Sequence, residues 1–303
     1  MAVALAPSTT DAQTDVAQSW EFRAGDEIAH GRTALKLLGG GRRYEAYLAY
    51  DETLMTTVVV KILRPSKVAD RGPLEGLAEE YDSLRAANHP SICRGFDAVL
   101  GGPRPHIVLE HVQGPRLSTL LRRFGRLDLD QLIPLAVEVC AALHYLHGRQ
   151  MLHLDVKPQN IIMSGPPRLI DLSVACSFDV ARGLRSPVGT DAYMAPEQAA
   201  PQAGVPVGPP ADIWGLGVTL YEALTGDRAF PRGTDGDAYP QRSQPPSPFP
   251  GWVAPDVVGP IAACLAADPE DRPTARELGS RLEPLVAALP RRIILGRIRP
   301  SWR

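Results

Sequence analysis

The sequence is poor in cysteine, in long apolar runs and in net charge, and each scarcity excludes a class of protein. Its four cysteines are scattered, without the spacing of a zinc site or of a disulfide framework, which favours a reducing cytoplasm. No apolar run reaches about 18 residues, and no charged and then apolar segment opens the chain. We therefore expect neither a membrane span nor a secretory signal. The formal charge of −2 argues against a nucleic-acid partner held by bulk electrostatics.

Lysine is also rare, with four residues against 28 arginines in 303 residues. One of the four, Lys61, interrupts the β-branched run TVVVKIL at residues 57–63, which predicts a short strand covered on both faces. Lys61 shares a strand face with Val59 and Leu63. Where lysine is this rare, a lysine inside an apolar strand is unlikely to be filler.

A second charged residue falls on an apolar face. Residues 74–88 predict a helix that His89 and Pro90 close, and on it Glu80 shares a face with Leu77 and Leu84. A buried charge costs several kcal/mol when alone, but a lysine and a glutamate can satisfy one another. We therefore expect Lys61 and Glu80 to pair. The alternative is two unrelated surface charges.

Periodicity divides the chain into a strand-rich part and a helical part. Residues 213–224 are apolar nearly all round and stop at Gly226, which predicts a buried helix. Thr274 with Glu277 forms a capping box that opens the last helix. Residues 233–252, rich in Pro, Gly and Ser, predict a loop. The expected organisation is a disordered lead-in (1–20), a strand-rich lobe (21–109), a hinge (110–114), a helical lobe (115–289) and a basic tail (290–303).

Five motifs follow one another in the second part. They are HLDVKPQN at residues 153–160, LIDLS at 169–173, APE at 195–197, DIWGLG at 212–217 and DRP at 271–273. In order and spacing they resemble the protein kinases over about residues 22–289, and in particular the Hanks-type serine/threonine kinases of actinobacteria. The resemblance implies an α+β, bilobal fold, with a small antiparallel-sheet N-lobe carrying one helix and a larger, mostly helical C-lobe.

The resemblance also implies an activity and a set of site residues. The activity is transfer of the γ-phosphate of ATP, with Mg²⁺ or Mn²⁺, to serine or threonine hydroxyls of a protein substrate. Lys157 followed by proline is the serine/threonine form of the loop. In the implied catalytic set, Asp155 accepts the hydroxyl proton, Lys157 supports the phosphoryl group, and Lys61, steadied by Glu80, contacts the α/β-phosphates. Asn160 and Asp171 hold the metal. The implied nucleotide-binding residues are Gly39, Gly41, Ala46, Val59, Lys61, Leu109, Glu110, Val112 and Ile162. Glu197 and Arg272 are expected to form a buried ion pair.

The sequence departs from the family pattern at several positions. The third glycine of the Gly-x-Gly-x-x-Gly loop is Tyr44, which we expect to stiffen the loop, and Asp-Phe-Gly has become Asp171-Leu172-Ser173. The arginine that precedes the catalytic aspartate is Leu154. That arginine usually pairs with a phosphate on the activation segment. We therefore expect activity without phosphorylation of that segment.

Three functions remain open on the sequence. The first is an active protein kinase, which the complete catalytic set favours. The second is a pseudokinase, a nucleotide-binding or scaffolding module, which Tyr44, Leu154 and Ser173 favour. The third is a small-molecule phosphotransferase of similar fold, against which the peptide platform of the APE motif argues. The sequence does not indicate an oligomeric state.

Overall fold

The computed structural model describes residues 18–234 and 236–289. The predicted basic tail, and residues 1–17 of the predicted lead-in, lie outside this range. By contacts between residues the described chain forms two compact units. The smaller contains residues 18–78 and 96–111, and the larger contains residues 79–95 and 112–289.

The smaller unit is built on a six-stranded antiparallel sheet of spatial order β1-β2-β3-β4-β6-β5. Its strands are β1 (Glu27–Ala29), β2 (Arg32–Gly40), β3 (Tyr44–Asp51), β4 (Thr56–Leu63), β5 (Gly95–Val99) and β6 (His106–Glu110). Helix α1 (Arg71–Ala86) follows β4 in the chain, with its first half in this unit and its second half in the larger one. The bounds of α1 lie within three residues of those predicted.

Strand β4 buries one face fully and the other only in part, although Leu63 at its end is fully buried, so the predicted cover on both faces is incomplete. Val58, Val60 and Ile62 are fully buried in the core of the sheet, whereas Val59 and Lys61 lie on the opposite face and are half-buried. The reason is the period of two in a strand, which sends alternate side chains to opposite faces. Lys61 is therefore on the partly open face and outside the apolar core.

The N-terminal segment of the smaller unit packs on this core. Trp20 and Phe22 stack with ring centroids 5.7 Å apart against the buried cluster, and the Trp20 indole N–H donates to Leu63 O at 2.7 Å. The backbone N–H of Trp20 donates to the buried carboxylate of Glu45 at 3.1 Å. Trp20 was predicted to lie in the disordered lead-in, but a large aromatic surface and two hydrogen bonds hold it on the sheet.

The larger unit is mostly helical. After the second half of α1 its helices are α2 (Leu117–Phe124), α3 (Leu129–Gly148), α4 (Phe178–Arg182), α5 (Pro196–Ala199), α6 (Pro209–Thr225), α7 (Pro255–Cys264) and α8 (Ala275–Ala288). Two-residue strands form two small antiparallel sheets, β7 (Met151–Leu152) with β10 (Cys176–Ser177), and β8 (Ile161–Ile162) with β9 (Arg168–Leu169).

The predicted helix signals of this unit are confirmed. Helix α6 is buried on nearly all sides and ends at Gly226, which has φ +83° and donates its N–H to Glu222 O. The capping box opens α8, because Thr274 Oγ1 accepts from the Glu277 N–H while Glu277 Oε2 accepts from the Thr274 N–H. The antiparallel sheet of one unit and the helices of the other agree with the predicted α+β class.

One helix of the described chain, α3, is long and apolar enough to cross a membrane by length and composition alone. Nine of its residues, among them Leu135, Val139 and Leu143, are buried within the larger unit. This burial is that of a helix in a protein core.

Residues 88–95 join the larger unit through hydrogen bonds. The Cys93 N–H donates to Leu169 O and the Leu169 N–H to Ser91 O, at 2.9 and 2.8 Å. The predicted boundary after residue 109 assigned these residues to the N-lobe. The contacts divide the chain after His111 and place residues 79–95 in the larger unit.

Candidate active site

The loop that follows β7 is fixed from beneath by Asp212, near the start of α6. The carboxylate of Asp212 is buried and accepts from the backbone N–H groups of His153 and Leu154 at 2.9 and 2.7 Å. Nε2 of His147 lies 2.9 Å from the same carboxylate. These bonds hold Leu154 at φ +59°, a conformation that is costly for a side chain with a Cβ. Burial favours the neutral acid, but the bonds from His147 and His153 outweigh it and lower the pKa of Asp212.

The next residue, Asp155, is the acceptor of a compact hydrogen-bond cluster. The Thr190 hydroxyl donates to Oδ1 at 2.7 Å, while Lys157 Nζ and Asn160 Nδ2 donate to Oδ2 at 2.6 and 2.9 Å. Lys157 Nζ also lies 2.5 Å from the Thr190 hydroxyl oxygen. Asn160 bonds the backbone oxygen of Asp155 as well, at 3.0 Å. The structure thus brings together the predicted Asp155, Lys157 and Asn160, and adds Thr190.

A short hairpin sets Asn160 opposite the residue that precedes Asp171. Strands β8 and β9 pair Ile161 with Leu169, and the Ile170 N–H donates to Asn160 O at 2.8 Å. Asp171 has φ +67°, and its Oδ1 accepts from the Ser173 N–H at 3.3 Å. Because the amide nitrogen of Asn160 is used on Asp155, its side-chain oxygen is the atom that can bind a cation.

The oxygen atoms of Asp171 and Asn160 at this hairpin fit a hard divalent cation that is also bound by phosphate oxygens. One carboxylate and one amide oxygen are the few protein ligands typical of Mg²⁺ when substrate phosphates and water complete the octahedron. Within the described residues, no group of three or more His, Cys, Asp or Glu side chains forms a metal site. Phosphate oxygens and water would complete the coordination of a cation held by Asp171 and Asn160.

The segment after Thr190 is anchored by the expected ion pair. Glu197 and Arg272 form a bidentate, buried pair with N–O distances of 2.7 and 3.0 Å. The guanidinium also lies 4.8 Å from the ring centroid of Trp214 and donates to Ala266 O. Planar, doubly bonded arginine is well suited to such a buried site.

Sequence reasoning missed Gln198, which ties the same segment to the loop of Asp155. Its amide nitrogen donates to Leu154 O at 2.7 Å and to Val188 O at 2.5 Å. Gly189, with φ +119°, permits this approach, since a Cβ there would lie 2.5 Å from Leu154 O. A glutamine directly after the APE motif was the available signal, but its partners are 10 and 44 residues away.

Some, but not all, of the predicted nucleotide-binding residues of the smaller unit lie on the same face of the sheet. Register pairs Ala46 with Lys61, and Val59 with Leu109, and side chains directly opposite each other in a sheet lie on the same side. Glu110 pairs with Val58 and so belongs to the other face. Gly39, with φ +145°, is the last residue but one of β2, and Gly41 begins the turn that joins β2 to β3.

The remaining predicted residues belong to the larger unit. Glu80 is buried on α1, Val112 is half-buried, and Ile162 is buried on β8. Gly114, with φ +137°, packs against this strand, since a Cβ there would lie 3.2 Å from Ile162 Cγ2. The expected ion pair of Lys61 with Glu80 joins residues of different units and stays a prediction.

The loop of Asp155 and the β8–β9 hairpin lie in a part of the chain that matches a known family. The sequence model of the protein kinase domain matches residues 32–281. The chain belongs to the protein kinase family. The resemblance predicted from the five motifs is thereby confirmed. Membership implies the use of ATP with a divalent cation and of protein substrates.

The relatives of this chain include bacterial serine/threonine kinases. It is 31% identical over 260 residues to the serine/threonine-protein kinase PknB of Mycobacterium leprae, an alignment that covers 81% of this chain and 41% of that protein. It is 34% identical over 258 residues to the serine/threonine-protein kinase PknK of Mycobacterium tuberculosis, covering 81% of this chain and 23% of that protein. The chain thus corresponds to about two fifths, or less, of the length of these relatives.

Proposed function

We propose that this domain transfers the γ-phosphoryl group of ATP to serine or threonine hydroxyls of a protein. The observation that carries the proposal is the occupancy of the Asp155 carboxylate. A carboxylate offers about four acceptor positions. Thr190, Lys157 and Asn160 take three of them, which leaves about one for the hydroxyl of a substrate.

In the proposed reaction Asp155 orients the substrate hydroxyl and accepts its proton. The hydroxyl oxygen forms a bond to the γ-phosphorus while the bond from that phosphorus to the bridging oxygen breaks, and ADP leaves. Lys157, held by Asp155 and Thr190, offers an ammonium to the transferring group. Such a site works by position and charge, and the short bonds of the cluster fix both.

The residues outside this cluster have supporting roles in the proposal. Asn160 and Asp171 hold the divalent cation, which when bound neutralises charge on the phosphates. Lys61 contacts the α/β-phosphates and Glu80 steadies it. The proposed nucleotide site is lined by Ala46, Val59, Leu109, Val112 and Ile162, with Gly39 and Gly41 at the phosphates. Glu110 contributes only its backbone, because its side chain belongs to the other face of the sheet.

The proposal is tested by Asp155→Asn in an assay with labelled ATP, Mg²⁺ and a generic basic protein. Because an amide is a poor proton acceptor, we expect transfer to fall by about a hundredfold or more. Nucleotide affinity should remain within about threefold by calorimetry. The matched control is Asp179→Asn, whose carboxylate is exposed on α4 and pairs with Arg182. An Asp155→Asn variant as active as this control would contradict the proposal.

The same assay separates the other two functions. Native protein that binds ATP and transfers nothing is a pseudokinase. Preferential labelling of a small metabolite over any protein indicates a small-molecule phosphotransferase. We propose that the domain acts in the cytoplasm, where ATP is available, and fractionation of cells would test this.

We further propose that activity does not depend on phosphorylation of the activation segment. Leu154 is 4% exposed, and its apolar side chain cannot pair with a phosphate on the activation segment as an arginine would. Gln198 bonds Leu154 O and Val188 O, so a neutral amide ties this segment to the catalytic loop. The buried pair of Glu197 with Arg272 anchors its end.

The test uses the double variant Ser177→Asn, Ser186→Ala. Ser177 caps α4 by accepting from the Val180 N–H, and asparagine keeps such a cap without accepting phosphate. Thr190 is left in place, because its hydroxyl bonds Asp155 directly. We expect the phosphatase-treated variant to keep a kcat within about twofold of that of untreated native protein. A loss of activity with intact ATP binding would contradict this part of the proposal.

A further inference from the structure

Tyr44 makes contacts that the loss of a glycine does not explain. It occupies the third glycine position of the loop and begins β3. Its ring centroid lies 5.1 Å from Lys61 Nζ, within the range of a cation–π interaction. Its hydroxyl donates to Pro73 O in the first turn of α1, at 2.9 Å. One side chain thus touches both the lysine and the helix.

The backbone of Tyr44 is held by the turn and by Arg64. The Gly41 N–H donates to Tyr44 O at 3.0 Å, which closes the turn of residues 41–44. Arg64 donates from Nε to Gly41 O at 2.7 Å and pairs through Nη1 with the buried carboxylate of Glu45 at 2.9 Å. These bonds therefore fix the backbone of Tyr44 relative to β4, the strand that carries Lys61.

The helix leaves room for the tyrosine hydroxyl. A Cβ at Gly76 would lie 3.2 Å from that oxygen, closer than most side-chain contacts. Glycine inside a helix is unfavourable compared with alanine. Its place opposite Tyr44 therefore has a steric reason, and the tyrosine and the glycine fit as a pair.

We propose that Tyr44 is a positioning residue that holds the Lys61 ammonium and ties the loop to α1. This rests on the proposed function, in which Lys61 contacts the α/β-phosphates. An aromatic face orients an ammonium without neutralising it, so the charge stays available to phosphate oxygens. The bond to Pro73 O fixes the position of the outer end of the ring.

The test compares Tyr44→Leu, which removes both contacts, with Tyr44→Phe, which removes only the hydroxyl. The matched control is Tyr50→Leu, since Tyr50 lies on the same strand and is exposed. Because the chain has four lysines, ¹³C-labelling at Cε gives four signals, which Lys→Arg variants assign. Magnesium–ATP affinity by calorimetry and the KM and kcat for ATP complete the measurement.

We expect the Lys61 protons to show a ring-current shift in the native protein, in Tyr44→Phe and in Tyr50→Leu, and to lose it in Tyr44→Leu. Tyr44→Leu should weaken ATP binding and raise KM by roughly three- to thirtyfold, with a smaller effect on kcat. Tyr44→Phe should fall between this variant and the native protein. Tyr44→Phe also reports on the hydroxyl if Tyr44→Leu does not fold.

Two results overturn the inference. One is a Lys61 signal and an ATP affinity in Tyr44→Leu equal to those of Tyr50→Leu. The other is tighter ATP binding in Tyr44→Leu, which makes the ring an obstruction. Failure of the proposed function has a different signature, namely native protein that transfers no phosphate. The lysine signals and the calorimetry still decide the role of Tyr44 in that case.

Discussion

Replacing Asp212 by asparagine tests how the catalytic loop is held. Oδ1 of the native carboxylate accepts from the Leu154 N–H, and Oδ2 accepts from the His153 N–H and faces Nε2 of His147. Asparagine has one acceptor oxygen and one donor group. In either orientation its NH₂ therefore faces a buried donor, and at least one N–H of the loop loses its partner.

The magnitude follows from the burial of the group. An unsatisfied buried donor costs about 1–3 kcal/mol, and a lost charge-assisted bond about 1.5–3 kcal/mol. Because Asp212 is 1% exposed, little solvent can replace these bonds. We expect Asp212→Asn to lower the free energy of unfolding by about 3–5 kcal/mol, a large part of the 5–15 kcal/mol typical of a folded domain.

The assay is urea denaturation at pH 7, followed by tryptophan fluorescence, with Asp227→Asn as control. Asp227 lies just beyond α6 and is exposed, so the control should change the free energy of unfolding by less than about 0.5 kcal/mol. A loss below about 1 kcal/mol in Asp212→Asn would refute the reasoning. It would mean that the loop keeps its conformation without this carboxylate.

The same denaturation experiment at lower pH tests the ionisation of Asp212. The pKa of Asp212 is lowered in the folded protein, despite burial, by the bonds from His147 and His153. A group with a lowered folded pKa stabilises the protein above the unfolded value, about 3.9, and loses that contribution as the pH falls through the folded value. The difference in stability between native protein and Asp212→Asn should therefore shrink below about pH 4. A difference that grows on acidification would contradict the sign.

Other predictions concern the activation segment and one thiol. Gly189→Ala should lower kcat by about tenfold or more with ATP affinity unchanged, because the new Cβ would lie 2.5 Å from Leu154 O. The control is Gly183→Ala, whose Cβ would make only ordinary contacts. Thr190→Val should lower kcat by about tenfold, and Thr190→Ser should restore it by returning a hydroxyl to the catalytic carboxylate. Burial raises the pKa of the Cys176 thiol to about 11, so iodoacetamide at pH 8 should label it about a hundredfold more slowly than in unfolded protein. Rapid labelling at pH 8 would contradict this burial.

The residues of the catalytic loop could be predicted because their chemistry dictates short spacings. Asp155, Lys157 and Asn160 fall within six residues of one loop, and Asn160 and Asp171 flank one hairpin. Motifs of this kind keep their residues together in space whatever surrounds them. The buried helix α6 and the capping box of α8 were predictable for a similar reason, since both depend on local periodicity and local hydrogen bonds.

The features that sequence reasoning missed depend on contacts between distant residues. The ring of Tyr44 reaches Lys61 across the β3–β4 hairpin, and which way it points is set by the turn and by Arg64. Gln198 bonds Leu154 O, 44 residues away in the chain. In the sequence, tyrosine in place of the third glycine indicates only the loss of a flexible residue. The structure shows that the Tyr44 side chain contacts Lys61 and Pro73.

The most direct measurement of the central claim is identification of the phosphorylated amino acid. Native protein is incubated with γ-labelled ATP, Mg²⁺ and a protein substrate, the product is hydrolysed, and the label is assigned to phosphoserine, phosphothreonine or phosphotyrosine. The account predicts label on serine or threonine with the native chain and almost none with Asp155→Asn at equal ATP occupancy. Label that persists in Asp155→Asn, or that appears on tyrosine alone, would contradict it.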